Sequence, residues 1–190
     1  SAVTEATKVV ISSIKAGDVI DGVTYATGTV DTGTGESIED LVLKAPATFA
    51  VVTPVTTVVA ETGLSESEVK EVLGLPANLD VKTFNPFKEN KTAAEEELAL
   101  AAEKVALKVH TTISTIQASA KGAGLNVAEA FATAIEAVAD VVKTQQKAGL
   151  KADLADSAIV DKVVTATSSK MTAKLIAKGV DAATAAANAL

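Results

Sequence analysis

The stretch from Val51 to Phe87, VVTPVTTVVAETGLSESEVKEVLGLPANLDVKTFNPF, constrains this chain more than any other. Thr53 suits a helix N-cap, and Pro54 suits the first helical position, where its missing N–H costs nothing. Gly63 then stops a short helix near Thr62. Ser65-x-x-Glu68 reads as a capping box for a second helix. Gly74 closes that helix in the left-handed conformation, and Leu75-Pro76 prevents its continuation. Leu79 to Phe87 reads as an ordered turn that tucks Phe84 and Phe87 into the core. So much punctuation in one span describes a connector between two differently built regions. It holds no recognisable catalytic group.

The region before the connector reads as β. Lys8 to Ile14 is a β-branched run, and Asp21-Gly22 between Val19-Ile20 and Val23-Thr24 is a two-residue hairpin signal. Asp31 to Glu36 is a glycine-rich loop. Ile38 to Lys44 and Thr48 to Val52 are two further strand candidates around an Ala45-Pro46 turn. These give a small N-terminal antiparallel sheet, or an incomplete sandwich, with edges that need cover.

The region after it reads as helical. Thr92-x-x-Glu95 caps a long helix ending near Gly122, with Leu98, Ala102, Val105, Val109, Thr112, Ile116 and Ala120 as its apolar stripe. Asn126-x-x-Glu129 caps the next, with Val127, Phe131, Ala134, Val138 and Val141 on one face and Gly149 at its stop. A third starts near Asp153 or Asp156 and carries Val160, Val163 or Val164, Thr167, Met171 and Leu175. Asp181 caps a last short helix that runs on to Leu190. The expected fold is therefore α+β: a small β front and a mostly helical bundle. The expected divisions are a β-rich region 1-52, a helical connector 53-90 and a bundle 91-190. A first residue of Ser rather than Met fits a processed secreted protein, and equally an excised piece. A last helix still running at Leu190 points to a fragment or to a tail used elsewhere.

Composition narrows the function. With 48% hydrophobic residues the 190-residue chain can bury one or two ordinary cores. Aromatics are only 3%, so the core is built from Ala, Val, Leu and Ile. The net charge of −7 opposes nucleic-acid binding, which leaves a basic footprint. All 17 basic residues are Lys, and a chain without Arg lacks the usual bidentate reader of phosphates. The absence of Cys removes thiol catalysis, Cys-ligated zinc and disulfides, and the single His110 removes paired-His metal sites. No apolar run approaches the roughly 20 residues that span a bilayer.

Individual candidates are weak against simpler structural roles. Asp18, Asp21, Asp31, Glu36, Glu39 and Asp40 supply loop carboxylates of the kind calcium takes, without an EF-hand or nonapeptide repeat. Calcium is the one cofactor they suggest, and solvated turn acids are the alternative. His110 and Ser114 stand one turn apart, but two residues make no triad. Glu95-Glu96-Glu97 sits where negative charge favours a helix N-terminus. Thr53, Thr56 and Thr57 show no regular threonine period. Alanines from Ala99 to Ala106 and from Ala130 to Ala139 cover more than one helix face, fitting either the bundle's own core or contacts between subunits.

The connector also resembles a module of very large secreted bacterial surface proteins, including cadherin-like and RTX-type adhesins. The residues that carry this are Thr32-Gly33, Leu43 to Pro46, Val51-Val-Thr-Pro-Val-Thr-Thr57, Gly63-Leu-Ser65, Leu73-Gly-Leu-Pro76, Asp80 and Thr83-Phe-Asn-Pro86. They cover about a quarter of the chain, and Asn85 stands where that module more often has Asp. The resemblance implies a secreted, extracellular or cell-surface location and a non-enzymatic role in adhesion. The expectation is a structural subunit or segment of an adhesin or self-assembling fibre or filament, associating with itself or with neighbouring domains. A module binding peptide or carbohydrate is the alternative.

Overall fold

The computed structural model describes residues 8–12, 15, 17–20, 23–24, 42–86, 88 and 91–189. The fold is α+β. Strand β1 (Lys8–Ser12) pairs antiparallel with β4 (Val42–Pro46), placing Val10 opposite Lys44 and Val9 opposite Ala45. Strands β2 (Val19–Ile20) and β3 (Val23–Thr24) pair with each other across two residues, as the Asp21-Gly22 signal requires. Asp21 and Gly22 themselves lie outside the described residues.

Among the described residues, the front departs from the strand candidates in two places. Ala45-Pro46 belongs to β4 rather than to a turn, and the chain reverses one step later, where the Phe49 N–H donates to the Pro46 carbonyl at 2.9 Å. Residues 48–52 form no strand. The Ala50 N–H donates instead to the Lys82 carbonyl at 2.8 Å, so this extended segment is held by the connector's far end. β-branched composition alone does not make a strand when the neighbouring backbone is a turn.

The connector folds as its punctuation dictates. Helix α1 (Pro54–Thr62) starts at Thr53, whose hydroxyl accepts from the Thr56 N–H, and ends at Gly63 with φ of 67°. Helix α2 (Glu66–Leu73) carries the Ser65–Glu68 capping box and ends at Gly74 with φ of 72°. The turn beyond is pinned by α2. The Lys70 ammonium donates to the carbonyls of Ala77 and Leu79 at 2.9 and 2.8 Å, and Glu66 accepts from the Val81 N–H at 3.1 Å. Leu79 and Val81 are thereby driven into the core, with Phe84 packed against it. The expected burial of Phe87 lies outside the described residues.

Helices α3 (Ala93–Gly122), α4 (Val127–Lys147) and α5 (Ser157–Ala177) form the bundle, and α6 (Ala182–Asn188) caps its end. At about 1.5 Å per residue, α3 is some 45 Å long. On α5 the buried face is Ile159, Val163, Thr167, Met171 and Leu175, while Val160 and Val164 face outward. The last helix stops at Asn188 rather than running to Leu190, with the Ala189 N–H closing back on Ala186.

Helix α4 is central, and α1, α2, α3 and α5 all pack on it. This accounts for its alanines. Ala130, Ala134, Ala137 and Ala139 are buried against the chain's own helices, because two connector helices join the bundle on α4. The main cluster runs from Val55 and Val58 through Leu79 and Val109 to Ile135, Val138 and Val163. A second, smaller cluster of Ala120, Leu125, Met171, Leu175 and Ala185 closes the far end. Lys170 and Lys174 of α5, with Lys178 just past its end, meet Asp140, Glu136 and Glu129 of α4 at 2.7, 3.4 and 2.6 Å along the outer seam. Among the described residues, no helix is long and apolar enough to cross a membrane.

Candidate functional site

Polar groups meet apolar surroundings at the junction of β4 with α1 and in a cleft beside it. The junction is built on Thr56 and Thr57, both fully buried. The Thr57 hydroxyl accepts from the Lys44 N–H at 2.9 Å and lies 3.1 Å from the Lys44 carbonyl and 2.9 Å from that of Thr53. The Thr56 hydroxyl accepts from the Thr53 N–H at 2.8 Å and lies 3.1 Å from the same Lys44 carbonyl. The hydroxyls thus serve the side of β4 that β1 does not, taking the place of a third strand. A buried hydroxyl with its donors and acceptors matched in this way is structural, not a nucleophile.

One turn later, Glu61 of α1 lies 3.3 Å from the Lys8 ammonium of β1 and 3.0 Å from that of Lys44 of β4. The three side chains are 14%, 8% and 18% exposed. The Lys44 ammonium also stands 5.8 Å from the centre of the Phe131 ring of α4. No local pattern flags this cluster, because its members come from three elements far apart in sequence. Together these contacts clamp the β front to the bundle through α1.

The cleft lies between the connector and α3, with a volume of about 400 Å³. One wall is Leu43 of β4 with Val52 to Val55 at the entry to α1. Its floor comes from the pinned turn, chiefly Leu79, Val81 and Phe84. Ala102, Ala106 and Leu107 of α3 form the other wall. The lining is mostly apolar, with Glu103 and His110 as the charged or titratable groups along it. Glu103 is exposed and has no ion pair among the described residues. His110 Nε2 lies 3.5 Å from the Ser114 hydroxyl, one helical turn along α3. Among the described residues no carboxylate reaches the His110 ring to orient it. The cleft is suited to taking up apolar groups beside a negative charge.

The carboxylates with depressed pKa values are helix and turn fixtures. Glu95 is pushed down to about 2 because its carboxylate accepts from the Thr92 N–H, with Lys88 and the Thr92 hydroxyl adding to it. The first acid of the Glu95-Glu96-Glu97 run is thus a cap. Glu68 is lowered by the Ser65 hydroxyl and N–H. Glu129 is lowered by Lys178 and the Asn126 N–H.

Of the residues suggested for calcium, Asp18 is the one described. Its carboxylate accepts from the Lys15 N–H at 2.8 Å in a tight turn. Asp21, Asp31, Glu36, Glu39 and Asp40 lie outside the described residues. Among the described residues, no group of three or more His, Cys, Asp or Glu side chains is placed to hold a metal ion. Sequence reasoning missed Glu61, Lys8 and Lys44 as a cluster, and it missed the cleft. The one available signal was a buried-looking Thr56-Thr57 pair inside an apolar helix. Compared with protein-family models, with curated proteins and with solved structures, the chain matches none.

Proposed function

We propose that this chain is a non-enzymatic extracellular structural protein, a subunit or segment of a bacterial surface adhesin or self-assembling fibre. The observation that carries this reading is the use of the connector's polar groups. Thr53, Thr56, Thr57, Glu61, Ser65, Glu66, Glu68 and Lys70 all bind backbone or neighbouring ions within the chain. Such a segment acts as a stiff joint between β front and bundle, the property a load-transmitting module needs. The resemblance of the same segment to adhesin connectors supports a cell-surface location, and self-association or contact with neighbouring domains as the mode of action. Calcium in the acidic front loops is part of the proposal.

Sedimentation of the chain up to about 1 mM, with and without calcium, tests the reading, together with electron microscopy of the native material. Concentration-dependent assemblies or filaments are expected. Monomers alone under every condition refute self-assembly.

The cleft favours a second reading, in which the chain binds a peptide within a larger adhesin. Among the described residues Phe84 is the one Phe, Tyr or Trp ring of the lining, so an apolar peptide side chain suits it better than a sugar, which stacks on such rings. Titration with short apolar peptides, followed by chemical shifts of Ala102, Ala106 and His110, separates this reading from the first.

A further inference from the structure

We infer that the cleft between the connector and α3 receives Leu150 of a second copy of this chain, joining copies head to tail. The inference rests on the self-assembly reading and names its contact.

Leu150 sits at the tip of the link between α4 and α5, and 58% of it is exposed. A single exposed leucine is ordinary; what sets this one apart is how it is presented and the charges around it. This one is rigidly presented. Gly149, at φ of 66°, ends α4, and the Leu150 N–H donates back to the Gln145 carbonyl at 2.9 Å, the bond of a Schellman cap. Two residues on, the Ala152 N–H donates to the Val72 carbonyl of α2 at 2.7 Å, which fixes the far side of the tip. Little conformational freedom remains to be lost when the leucine docks.

Charge selects the receptor. Lys147 and Lys151 flank Leu150, both are exposed, and neither has an ion pair among the described residues. The cleft has the opposite character: an apolar interior with the exposed carboxylate of Glu103 at its side, and Glu96 and Glu97 exposed further up α3. Leu107, 64% exposed, extends the apolar wall outward at its mouth. A cleft of about 400 Å³ has ample room for one leucine side chain, since an apolar cavity of ~150 Å³ admits benzene. No residue of the 148–156 link lines the cleft, so knob and receptor are separate surfaces of one chain. Such a contact is heterologous. It extends into an open row of copies unless the rotation between neighbours happens to close a ring. One knob buries far less than the roughly 1,200 Å² of a stable interface, so the contact is weak alone and acts through high local concentration or tethering.

The test uses the whole 190-residue chain and substitutes exposed residues. In sedimentation equilibrium up to about 1 mM, Leu150→Asp and Leu107→Asp are each expected to weaken association by about tenfold or more. Mixed one to one, they are expected to form a dimer and nothing longer, since each retains the half the other lacks. Lys151→Glu and Glu103→Lys are each expected to weaken association, and the two together in one chain to restore it. If the unaltered chain associates while Leu150→Asp and Leu107→Asp associate equally well, the contact is wrong and the self-assembly reading stands. If the unaltered chain stays monomeric throughout, both fall.

Discussion

Replacing Thr57 by Val tests whether side-chain hydroxyls really stand in for a strand beside β4. Val has nearly the same shape, so packing changes little and the hydroxyl alone is removed. That hydroxyl is the acceptor for the Lys44 N–H at 2.9 Å. The Thr56 hydroxyl does not serve this N–H; it accepts from the Thr53 N–H at 2.8 Å. The carbonyl of Lys44 keeps Thr56 as a donor at 3.1 Å. The loss therefore concentrates on one stranded N–H, which costs about 1–3 kcal/mol when buried, and about 2 kcal/mol is expected here. Thr133→Val is the matched control. Thr133 is equally buried, but its hydroxyl bonds only the Glu129 carbonyl of its own helix at 2.8 Å. That carbonyl retains the helical N–H of residue 133, so no group is orphaned and less than about 0.5 kcal/mol is expected. Urea unfolding followed by helical circular dichroism reads both. With a slope of about 2 kcal/mol per M, Thr57→Val lowers the midpoint by about 1 M and Thr133→Val barely moves it. Equal shifts for the two variants would refute the assignment of Thr57 as a surrogate strand partner.

Other expectations follow from the same geometry. Glu61→Gln takes away the carboxylate that the Lys8 and Lys44 ammoniums both touch; since all three side chains are mostly buried, a loss of about 2 kcal/mol is expected, with faster amide exchange in residues 8–12 and 42–46. Unchanged exchange there would show that β1 is held by its ladder alone. The capping carboxylates of Glu68, Glu95 and Glu129 are lower in the folded state than in the unfolded chain. Their contribution is therefore complete above about pH 4.5 and lost as pH falls towards about 2, the value to which Glu95 is depressed. Urea midpoints should fall across that window, and less steeply for Glu95→Gln; a midpoint independent of pH there would contradict the capping role. Leu79→Ala empties a fully buried site at the base of the cleft and should cost about 3 kcal/mol by urea unfolding. A cost below about 1 kcal/mol would mean that the turn from Gly74 to Phe84 is not fixed in the core.

The helical punctuation is legible in the residues alone. Thr53, Ser65, Thr92 and Asn126 cap their helices and Gly63 and Gly74 stop theirs, because each cap is an interaction within four residues of chain. The α+β order followed from the same local signals, as did the buried stripe of α4. Long-range packing sets what those signals do not encode. Residues 48–52 look like a strand but lie along Lys82, because the partner backbone arrives from more than thirty positions away. Val160 looks like core, yet Ile159 takes that place, since apolar and polar residues are spread around α5 and only its packing on α4 chooses the face. Lys8, Lys44 and Glu61 meet only once β1, β4 and α1 have assembled. The cleft exists only where the pinned turn and α3 fail to close on each other. Short-range hydrogen bonds are written in neighbouring residues, whereas the pairing of distant backbones and charges is settled by how the whole chain packs.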